Sequence, residues 1–192
     1  MKFKVNGINI VTTVANVSSL VTSSLNELRS SFSFGNANGK HVVGLDVQWK
    51  PNYSTYNNNK LCHGNRCVII QLLYLDFIPN SLKSFLADQS IDFLGVGITE
   101  DLAKLRGDYG LQCGSGVELG PLADRVYGKH QYSRYGLVQL AREIVGLVIE
   151  KPASVVDSDW SARGLTTEQI KYATIDAYAS FAIGNKLLGG NN

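Results

Sequence analysis

Three short, nearly continuous apolar runs most constrain how this chain folds, and segments with helical periodicity lie between them. The runs extend over His41–Trp49, Cys67–Leu75 and Phe93–Ile98. Uninterrupted apolar strands are typical of sheet centres that helices cover on both faces. The sequence therefore predicts an α/β unit with three or four strands interleaved with helices, followed by a helical C-terminal half. No repeat or linker divides residues 1–192, so we expect a single domain.

Local patterns place the elements around these runs. The pair Asn6-Gly7 predicts a β-hairpin over Lys2–Val14. Residues 34–40 are turn-rich, and residues 51–60 (PNYSTYNNNK) are polar and aperiodic, so both are predicted as loops. Helices are expected at Val17–Phe32, after Asn80 and Thr99 as caps, at Val117–Tyr127, at Leu137–Val145 before Gly146, and from a capping box of Thr166 and Gln169 to Leu188.

Bulk properties exclude several classes of protein. The net charge of +2 is too small for a strong overall field, so any contact with nucleic acid must come from a local patch. Three cysteines are an odd number, which favours reduced structural thiols over a disulfide framework. No secretory signal or apolar run of about 20 residues occurs, so we expect a cytoplasmic or nuclear location and no membrane partner. A Walker-type phosphate loop is also absent, which disfavours a small-molecule phosphohydrolase or transferase.

A few carboxylates occupy positions where chemistry is plausible. Asp46 lies on the apolar strand VVGLDVQW, where a charge needs a partner or a metal, and Gln48 points to the same face of that strand. Asp101 lies in the first turn after FLGVGI, where open α/β sheets bind ligands. Tyr172 and Asp176 share one face of the last helix. Converging carboxylates hold two Mg²⁺ ions in phosphodiester hydrolysis, and a nearby phenol orients the attacking water.

Each of these residues also has a purely structural interpretation. Asp46 could be a structural strand residue, and Asp101 could simply interact with its helix dipole. Tyr172 and Asp176 could form a hydrogen-bonded pair on the helix surface. Among other polar and aromatic residues, Trp49 and Trp160 are interpreted as core aromatics rather than base-stacking platforms, and the three histidines as incidental. Candidate phosphate contacts, each more typical of a solvated surface, are Lys104, Arg106, Lys129, Arg134 and Lys171.

The ordered set of motifs resembles the DEDDy 3′–5′ exonucleases of the ribonuclease H-like class, and within them the Werner-syndrome-like exonuclease domains, including those of plants. VVGLDVQW, FLGVGITEDLAKL and YATIDAY are similar to the three family motifs, and GVELGPLA, GLVQLAREIVG and SDWSARGLTTEQIKYA follow the family order. The resemblance extends over about residues 41–188, after an N-terminal hairpin and helix in residues 1–40.

The resemblance implies a DnaQ-like exonuclease fold with a mixed sheet of about five strands flanked by helices. It implies metal ligation by Asp46, Asp101 and Asp176, with Gln48 in the fourth ligand place, and a water-positioning role for Tyr172. The implied cofactors are two Mg²⁺ or Mn²⁺ ions, and the implied substrates are DNA or RNA 3′ ends. A separate helicase is a further implied partner, and a homo-oligomer is a common default.

Two departures from the family bear on activity. Gln48 replaces the family glutamate, which removes a charge from the metal site, and STYNNNKLCHGN replaces an apolar strand with an Ile-Gln-Leu-like core. Two hypotheses follow. The first is a metal-dependent 3′–5′ exonuclease weakened by Gln48. The second is a catalytically inactive member that binds nucleic acid or serves as a scaffold.

Overall fold

The computed structural model describes residues 1–32, 36, 39–50 and 53–189, and only the backbone of residues 49, 50 and 53–59. In this part of the chain seven strands form one sheet, in the spatial order β1-β2-β5-β4-β3-β6-β7. The strands are β1 (Lys2–Val5), β2 (Ile8–Ala15), β3 (His41–Lys50), β4 (Tyr53–His63), β5 (Arg66–Gln71), β6 (Ile91–Gly95) and β7 (Gly116–Glu118).

The sheet is mixed, which confirms the predicted α/β class. Pairs β2–β5, β3–β6 and β6–β7 are parallel, and pairs β1–β2, β3–β4 and β4–β5 are antiparallel. The hairpin β1–β2 is confirmed, and both Asn6 and Gly7 have the positive φ angles that a two-residue hairpin turn requires. The sheet has seven strands rather than about five because this hairpin joins one edge and the short β7 extends the other.

The predicted loop at residues 51–60 was wrong for most of its length. Tyr53–His63 forms β4, which lies between β3 and β5 and pairs with both of them. Asparagine is depleted in strands because side chains usually decide strand stability, which is why the polar sequence indicated a loop. Here the two backbone ladders hold the strand in place. The pairing of β3 with β4 has a register shift at Trp49/Lys50, and the predicted turn at residues 34–40 falls mostly outside the described residues.

Helices cover both faces of the sheet. In the described chain they are α1 (Ser18–Ser30), α2 (Asn80–Leu86), α3 (Ile98–Tyr109), α4 (Leu119–Tyr127), α5 (Leu137–Leu140), α6 (Ala153–Val156) and α7 (Thr167–Leu187). Short 3₁₀ turns occupy Leu72–Tyr74 and Tyr132–Arg134, and a π-helical segment, Ala141–Val145, continues α5 to the predicted end at Gly146. Among the described helices, none combines the length and apolar character required to cross a bilayer.

The start of α3 differs from the prediction that Thr99 caps it. The N-cap residue is Gly97, with φ 73°, and no cap side chain bonds there. Instead the Glu118 carboxylate accepts hydrogen bonds from the backbone N–H groups of Gly97 and Thr99, at 3.0 and 2.9 Å. An acceptor from β7 thus satisfies helix donors that local sequence assigned to Thr99. Gly110 ends the helix in the left-handed conformation.

Side chains of β3 alternate between two different environments. Val43, Leu45 and Val47 pack in the cluster that contains residues of α1, α2 and α3. Gly44, Asp46 and Gln48 share the opposite face by strand alternation. An added Cβ at Gly44 would lie 2.2 Å from the Ala177 carbonyl oxygen, so α7 contacts the β3 backbone directly. This close packing positions α7 over the face of β3 that carries Asp46.

The capping box of α7 is present as predicted and provides a first test of the fold. The Thr166 hydroxyl accepts from the Gln169 backbone N–H at 3.2 Å, and the Gln169 side chain accepts from the Thr166 N–H at 2.8 Å. We expect Thr166→Ala to lower the free energy of unfolding by about 1 kcal/mol in urea titrations. Thr167→Ala, one residue inside the helix and exposed, is the control and should change it little. Equal effects of the two changes would contradict the cap assignment.

Candidate active site

The sheet places Asp46 and Gln48 beside a lysine that the sequence reading did not include. Lys60 lies directly opposite Asp46 in the β3–β4 ladder. Its Nζ donates to Asp46 Oδ2 at 2.5 Å and to Gln48 Oε1 at 3.2 Å. The Lys60 side chain is fully buried, whereas the Asp46 side chain is 25% exposed. Asp46 therefore reaches solvent at the site, but its inner oxygen is already bound by an ammonium group.

Two aromatic rings enclose the same ammonium group. Lys60 Nζ lies 5.1 Å from the centroid of the Trp160 ring and 5.6 Å from that of the Tyr172 ring. Both rings are themselves buried, with centroids 5.7 Å apart. The prediction that Trp160 is a core aromatic is confirmed by its 6% exposure, while the Trp49 side chain lies outside the described ones. Ring faces attract a cation, so these contacts stabilise the Lys60 charge where water is excluded.

Helix α7 brings Tyr172 and Asp176 to this place. Asp176 is buried, with 2% exposure, and its Oδ2 accepts from Lys151 Nζ at 3.1 Å. Its Oδ1 is also buried, with no hydrogen-bond partner among the described residues. Lys151 Nζ lies 5.1 Å from the centroid of the Tyr172 ring. Asp176 thus carries a second ammonium partner that the sequence did not indicate.

The pKa directions indicate that these groups interact electrostatically. Burial, followed by repulsion from Asp46, raises the pKa of Asp176, and together they outweigh the attraction of Lys60 and Lys151. Burial and then the Asp176 charge raise the pKa of Tyr172. Burial is the largest single influence on Lys151 and would lower its pKa, but Asp176 and Tyr172 together outweigh it and the net direction is upward. Asp46, Tyr172 and Asp176 therefore belong to one site.

Asp101 lies at the start of α3, on a different element from Asp46 and Asp176. It is half-buried in the first turn of α3, next to the end of β6, and its backbone N–H donates to the Gly97 carbonyl. Among the described residues, no group of three or more His, Cys, Asp or Glu side chains is arranged to hold a metal ion. Asp46, Asp101 and Asp176 therefore do not form a preassembled carboxylate cluster. Their role as ligands stays a prediction.

The side chains that are brought together do not fit a pair of divalent ions. Two-metal sites depend on a surplus of negative charge from several carboxylates. Here the ammonium groups of Lys60 and Lys151 balance Asp46 and Asp176 one for one, and Gln48 adds no charge. A metal ion at this place would take its β3 ligands from Asp46 Oδ2 and the Gln48 amide oxygen. Both oxygens already accept hydrogen bonds from the Lys60 ammonium group. The charges of these four side chains therefore cancel without a bound metal ion.

An open cavity adjoins the site on the side of Tyr172. It has a volume of about 420 Å³, and its lining includes Lys4, Asn6, Glu150, Lys171 and Tyr172. Lys171, one of the candidate phosphate contacts, is exposed there, as is Lys4 from the N-terminal hairpin. Glu150 makes the cavity mixed in charge rather than strongly basic.

Lys60 and Lys151 are the functional residues that sequence reasoning missed. Lys60 falls in the segment interpreted as a loop, so nothing placed it on the Asp46 face. Had β4 been recognised as a strand, its pairing with β3 would have indicated a lysine across from Asp46. Lys151 lies outside any helix or strand, and its contact with Asp176 depends on tertiary packing that leaves no local signal.

Comparison with known proteins gives one consistent family. The profile of a family described as 3′–5′ exonuclease matches residues 21–189. Mouse "Bifunctional 3′-5′ exonuclease/ATP-dependent helicase WRN" is 33% identical over 153 residues, which are 76% of this chain and 11% of that protein. An Arabidopsis thaliana "3′-5′ exonuclease" is 29% identical over 150 residues, which are 74% of this chain and 51% of that protein. The chain thus spans about half, or much less, of the length of these relatives.

Solved structures agree with the fold. Escherichia coli RNase D, "an exoribonuclease involved in structured RNA processing", superposes with a TM-score of 0.75 at 22% identity, covering 93% of this chain and 44% of that chain. The EXD2 exonuclease domain soaked in Mn and GMP gives a TM-score of 0.54 at 28% identity, covering 93% and 90% of the two chains. These similarities confirm the predicted ribonuclease H-like fold. The same EXD2 domain has also been soaked in Mg and GMP, so relatives of this chain are crystallised with divalent metals.

Proposed function

The chain belongs to the 3′–5′ exonuclease family, and from this we propose that it binds nucleic-acid 3′ ends but has lost the family's metal-dependent hydrolysis. The observation that carries the proposal is the bond from the buried Lys60 ammonium group to both Asp46 and Gln48. In the family motif these positions hold two carboxylates for metal. Here one position is an amide, and both are bound by an internal cation.

Binding of a strand end does not require the missing chemistry. The cavity beside Tyr172 gives a terminal nucleotide room, and the exposed Lys171 and Lys4 lie on its wall to contact phosphates. Tyr172 presents a phenol whose raised pKa keeps it protonated, so its hydroxyl is a hydrogen-bond donor. A contact set this small supports weak binding, with a dissociation constant of about 10⁻⁶ to 10⁻⁴ M at physiological salt.

A second candidate function is the weakened, metal-dependent 3′–5′ exonuclease that the motifs imply. It is favoured by the buried Asp176 Oδ1, which has no partner among the described residues and is available as an oxygen ligand. The Asp46 side chain is also 25% exposed, so an ion can approach it from solvent. In this case Asp46, Gln48, Asp101 and Asp176 would hold Mg²⁺ or Mn²⁺, and the metal would activate water. The DEDDy subclass and a separate helicase partner are further predictions of the family resemblance, and a homo-oligomer stays a prediction from the common default.

Binding at 3′ ends is tested with one oligonucleotide in two forms. Fluorescence anisotropy should show that the linear single strand binds and that the same sequence closed into a circle binds at least about tenfold more weakly, because the circle has no end. Lys171→Ala should weaken binding of the linear strand, whereas Lys186→Ala, at the far end of α7, should leave it unchanged. Equal affinity for the line and the circle would reject 3′-end recognition.

Hydrolysis is tested separately on a labelled single strand and a recessed duplex, each with Mg²⁺ or Mn²⁺. We expect wild-type protein to leave both intact, at the same background as an Asp46→Ala, Asp176→Ala double variant. Progressive shortening from the 3′ end by wild type but not by the double variant would overturn the proposal in favour of the weakened exonuclease. In that event Gln48→Glu should raise the rate on the order of 10- to 100-fold, the range for restoring a lost partner at a metal site.

A further inference from the structure

We propose that Lys60 is a resident cation: its ammonium group occupies the position between Asp46 and Gln48 that a divalent ion would need. The inference rests on the proposed function, since it explains the loss of hydrolysis at the same site. It adds that the site excludes metal actively, through a positive charge, rather than by the loss of one ligand. Removal of Lys60 is then necessary before a metal binds there.

The sheet register builds this arrangement into the fold. Lys60 is the direct cross-strand partner of Asp46 on one side and of Ile69 on the other. Its backbone is therefore fixed by ladders to both β3 and β5. Residues directly opposite in an antiparallel pair have Cβ atoms about 5 Å apart, so a lysine here reaches the Asp46 carboxylate without rearrangement. The ammonium position follows from the strand pairing and not from a mobile loop.

The groups around the Lys60 ammonium group are those expected of a cation-binding site. Asp46 supplies one full negative charge, the Gln48 amide oxygen supplies a dipole, and the rings of Trp160 and Tyr172 present two faces. The side chain is completely buried, so no exchange with water competes with these contacts. A glutamine at position 48 also fits this reading, because a second carboxylate would leave surplus charge around a single monovalent cation.

Lys151 differs from Lys60 in a way that allows a comparison. Its side chain is 34% exposed, and it lies outside any helix or strand. Lys151 therefore has solvent to turn toward when another cation approaches Asp176. Lys60 has none, because it is enclosed by the sheet, by α7 and by Trp160. Of the two lysines, Lys60 is the one expected to decide whether metal binds.

Displacement of Lys60 by a metal would leave a buried, unpaired ammonium group. Breaking a buried ion pair by removing one partner is strongly unfavourable, and its usual magnitude corresponds to a loss on the order of 10²- to 10⁴-fold in affinity. The neutral Gln48 side chain also attracts a metal ion less than a glutamate at this position would. We therefore expect no Mn²⁺ binding at Asp46 of the wild-type protein, even when the Mn²⁺ concentration is a few times higher than that which saturates ordinary protein sites.

The test is a Mn²⁺ titration followed by the electron paramagnetic resonance signal of free Mn²⁺, which loses amplitude as the ion binds. Four proteins are compared: wild type, Gln48→Glu, Gln48→Glu with Lys60→Gln, and Gln48→Glu with Lys151→Gln. Each is also measured with Asp46→Ala added, so that binding at Asp46 is separated from binding elsewhere. We expect binding that depends on Asp46 only in the Lys60→Gln double variant, with affinity at least about 100-fold above wild type. The matched Lys151→Gln double variant should stay close to Gln48→Glu alone.

Two outcomes would overturn the inference. One is Mn²⁺ binding by wild type that disappears in Asp46→Ala. The other is a folded Lys60→Gln double variant, checked by circular dichroism and thermal unfolding, that binds Mn²⁺ no better than Gln48→Glu. If that double variant does not fold, the same comparison is made with Lys60→Met in place of Lys60→Gln, since methionine also removes the charge and suits a fully buried position. A different measurement tests the proposed function, because equal binding of linear and circular strands would reject it whatever the Mn²⁺ titration shows.

Discussion

Gly44→Ala is expected to lower the free energy of unfolding by about 3 kcal/mol or more, at the upper end of the range for overpacked interiors. The added Cβ would lie 2.2 Å from the Ala177 carbonyl oxygen and 2.5 Å from the Phe181 backbone nitrogen. Both are backbone atoms in the middle of α7, so no side-chain rotation relieves the contact. Either α7 moves away from β3 or the strand bends.

Movement of α7 would also change the site. Tyr172 and Asp176 are carried by α7, and Asp46 and Gln48 by β3, so the distance between the two elements sets the site geometry. Gly184 marks a second close approach, since a Cβ there would lie 2.5 Å from Leu94 Cδ2, on β6. We therefore expect Gly44→Ala to weaken binding of the linear strand as well as stability.

The control for Gly44→Ala is Gly107→Ala. Gly107 lies inside α3, has no heavy atom within 4 Å of an added Cβ, and does not need a positive φ. Because alanine is the better helix former, the change should stabilise the protein by up to about 1 kcal/mol. Urea unfolding of both variants beside wild type measures the contrast. A loss below about 1 kcal/mol for Gly44→Ala would show that α7 does not press on β3 as described.

The parts of the fold that the sequence predicted are those set by local chemistry. Asn6-Gly7 specified a hairpin because both residues tolerate positive φ, and Thr166 with Gln169 specified a helix start because each side chain satisfies a backbone group of the other. The apolar strand around Asp46 was likewise confirmed as β3. For the hairpin and the helix start the decisive contacts are within a few residues of one another along the chain. Strand β3 was indicated instead by its apolar run, although its partners β6 and α7 are distant in sequence.

The parts that it missed depend on partners distant in sequence. Strand β4 is held by neighbours on both sides, although its own asparagines favour a loop. Glu118, rather than the local Thr99, satisfies the start of α3. The candidate site shows the same division. The motifs predicted Asp46, Tyr172 and Asp176, but the lysines that pair with the two aspartates, Lys60 and Lys151, come from segments with no pattern of their own. Charge balance at a site is a tertiary property.

Asp46→Asn is expected to destabilise the protein by about 2–3 kcal/mol, near the lower end of the range for breaking a buried ion pair. The change leaves the fully buried Lys60 ammonium group hydrogen-bonded to neutral acceptors, with the Asp176 charge acting on it without a hydrogen bond. Two factors reduce the effect: the Asp46 side chain is 25% exposed, and its removal relieves the repulsion that helps to raise the pKa of Asp176. The stranded lysine outweighs both because it has no access to water.

The direction of this change discriminates between a site with a resident cation and a plain carboxylate cluster. In a cluster that waits for metal, neutralising one of several like charges relieves repulsion and stabilises the metal-free protein. The exposed pair Glu27–Arg66 supplies the control, since Glu27→Gln should change stability by no more than about 0.5 kcal/mol. Thermal and urea unfolding in the presence of a chelator measure all variants under the same metal-free condition.

A double-mutant cycle tests the same pair, because neutral replacement of both partners leaves no buried charge without a counter-charge. Asp46→Asn combined with Lys60→Met should recover most of the free energy of unfolding that Asp46→Asn alone loses. The coupling between the two positions should therefore be at least about 1 kcal/mol. If Asp46→Asn alone stabilises the protein, Asp46 is repelled by its neighbours more than it is held by Lys60, and the resident-cation interpretation is wrong. If it destabilises and the second change restores stability, the Lys60 charge is part of the fold itself.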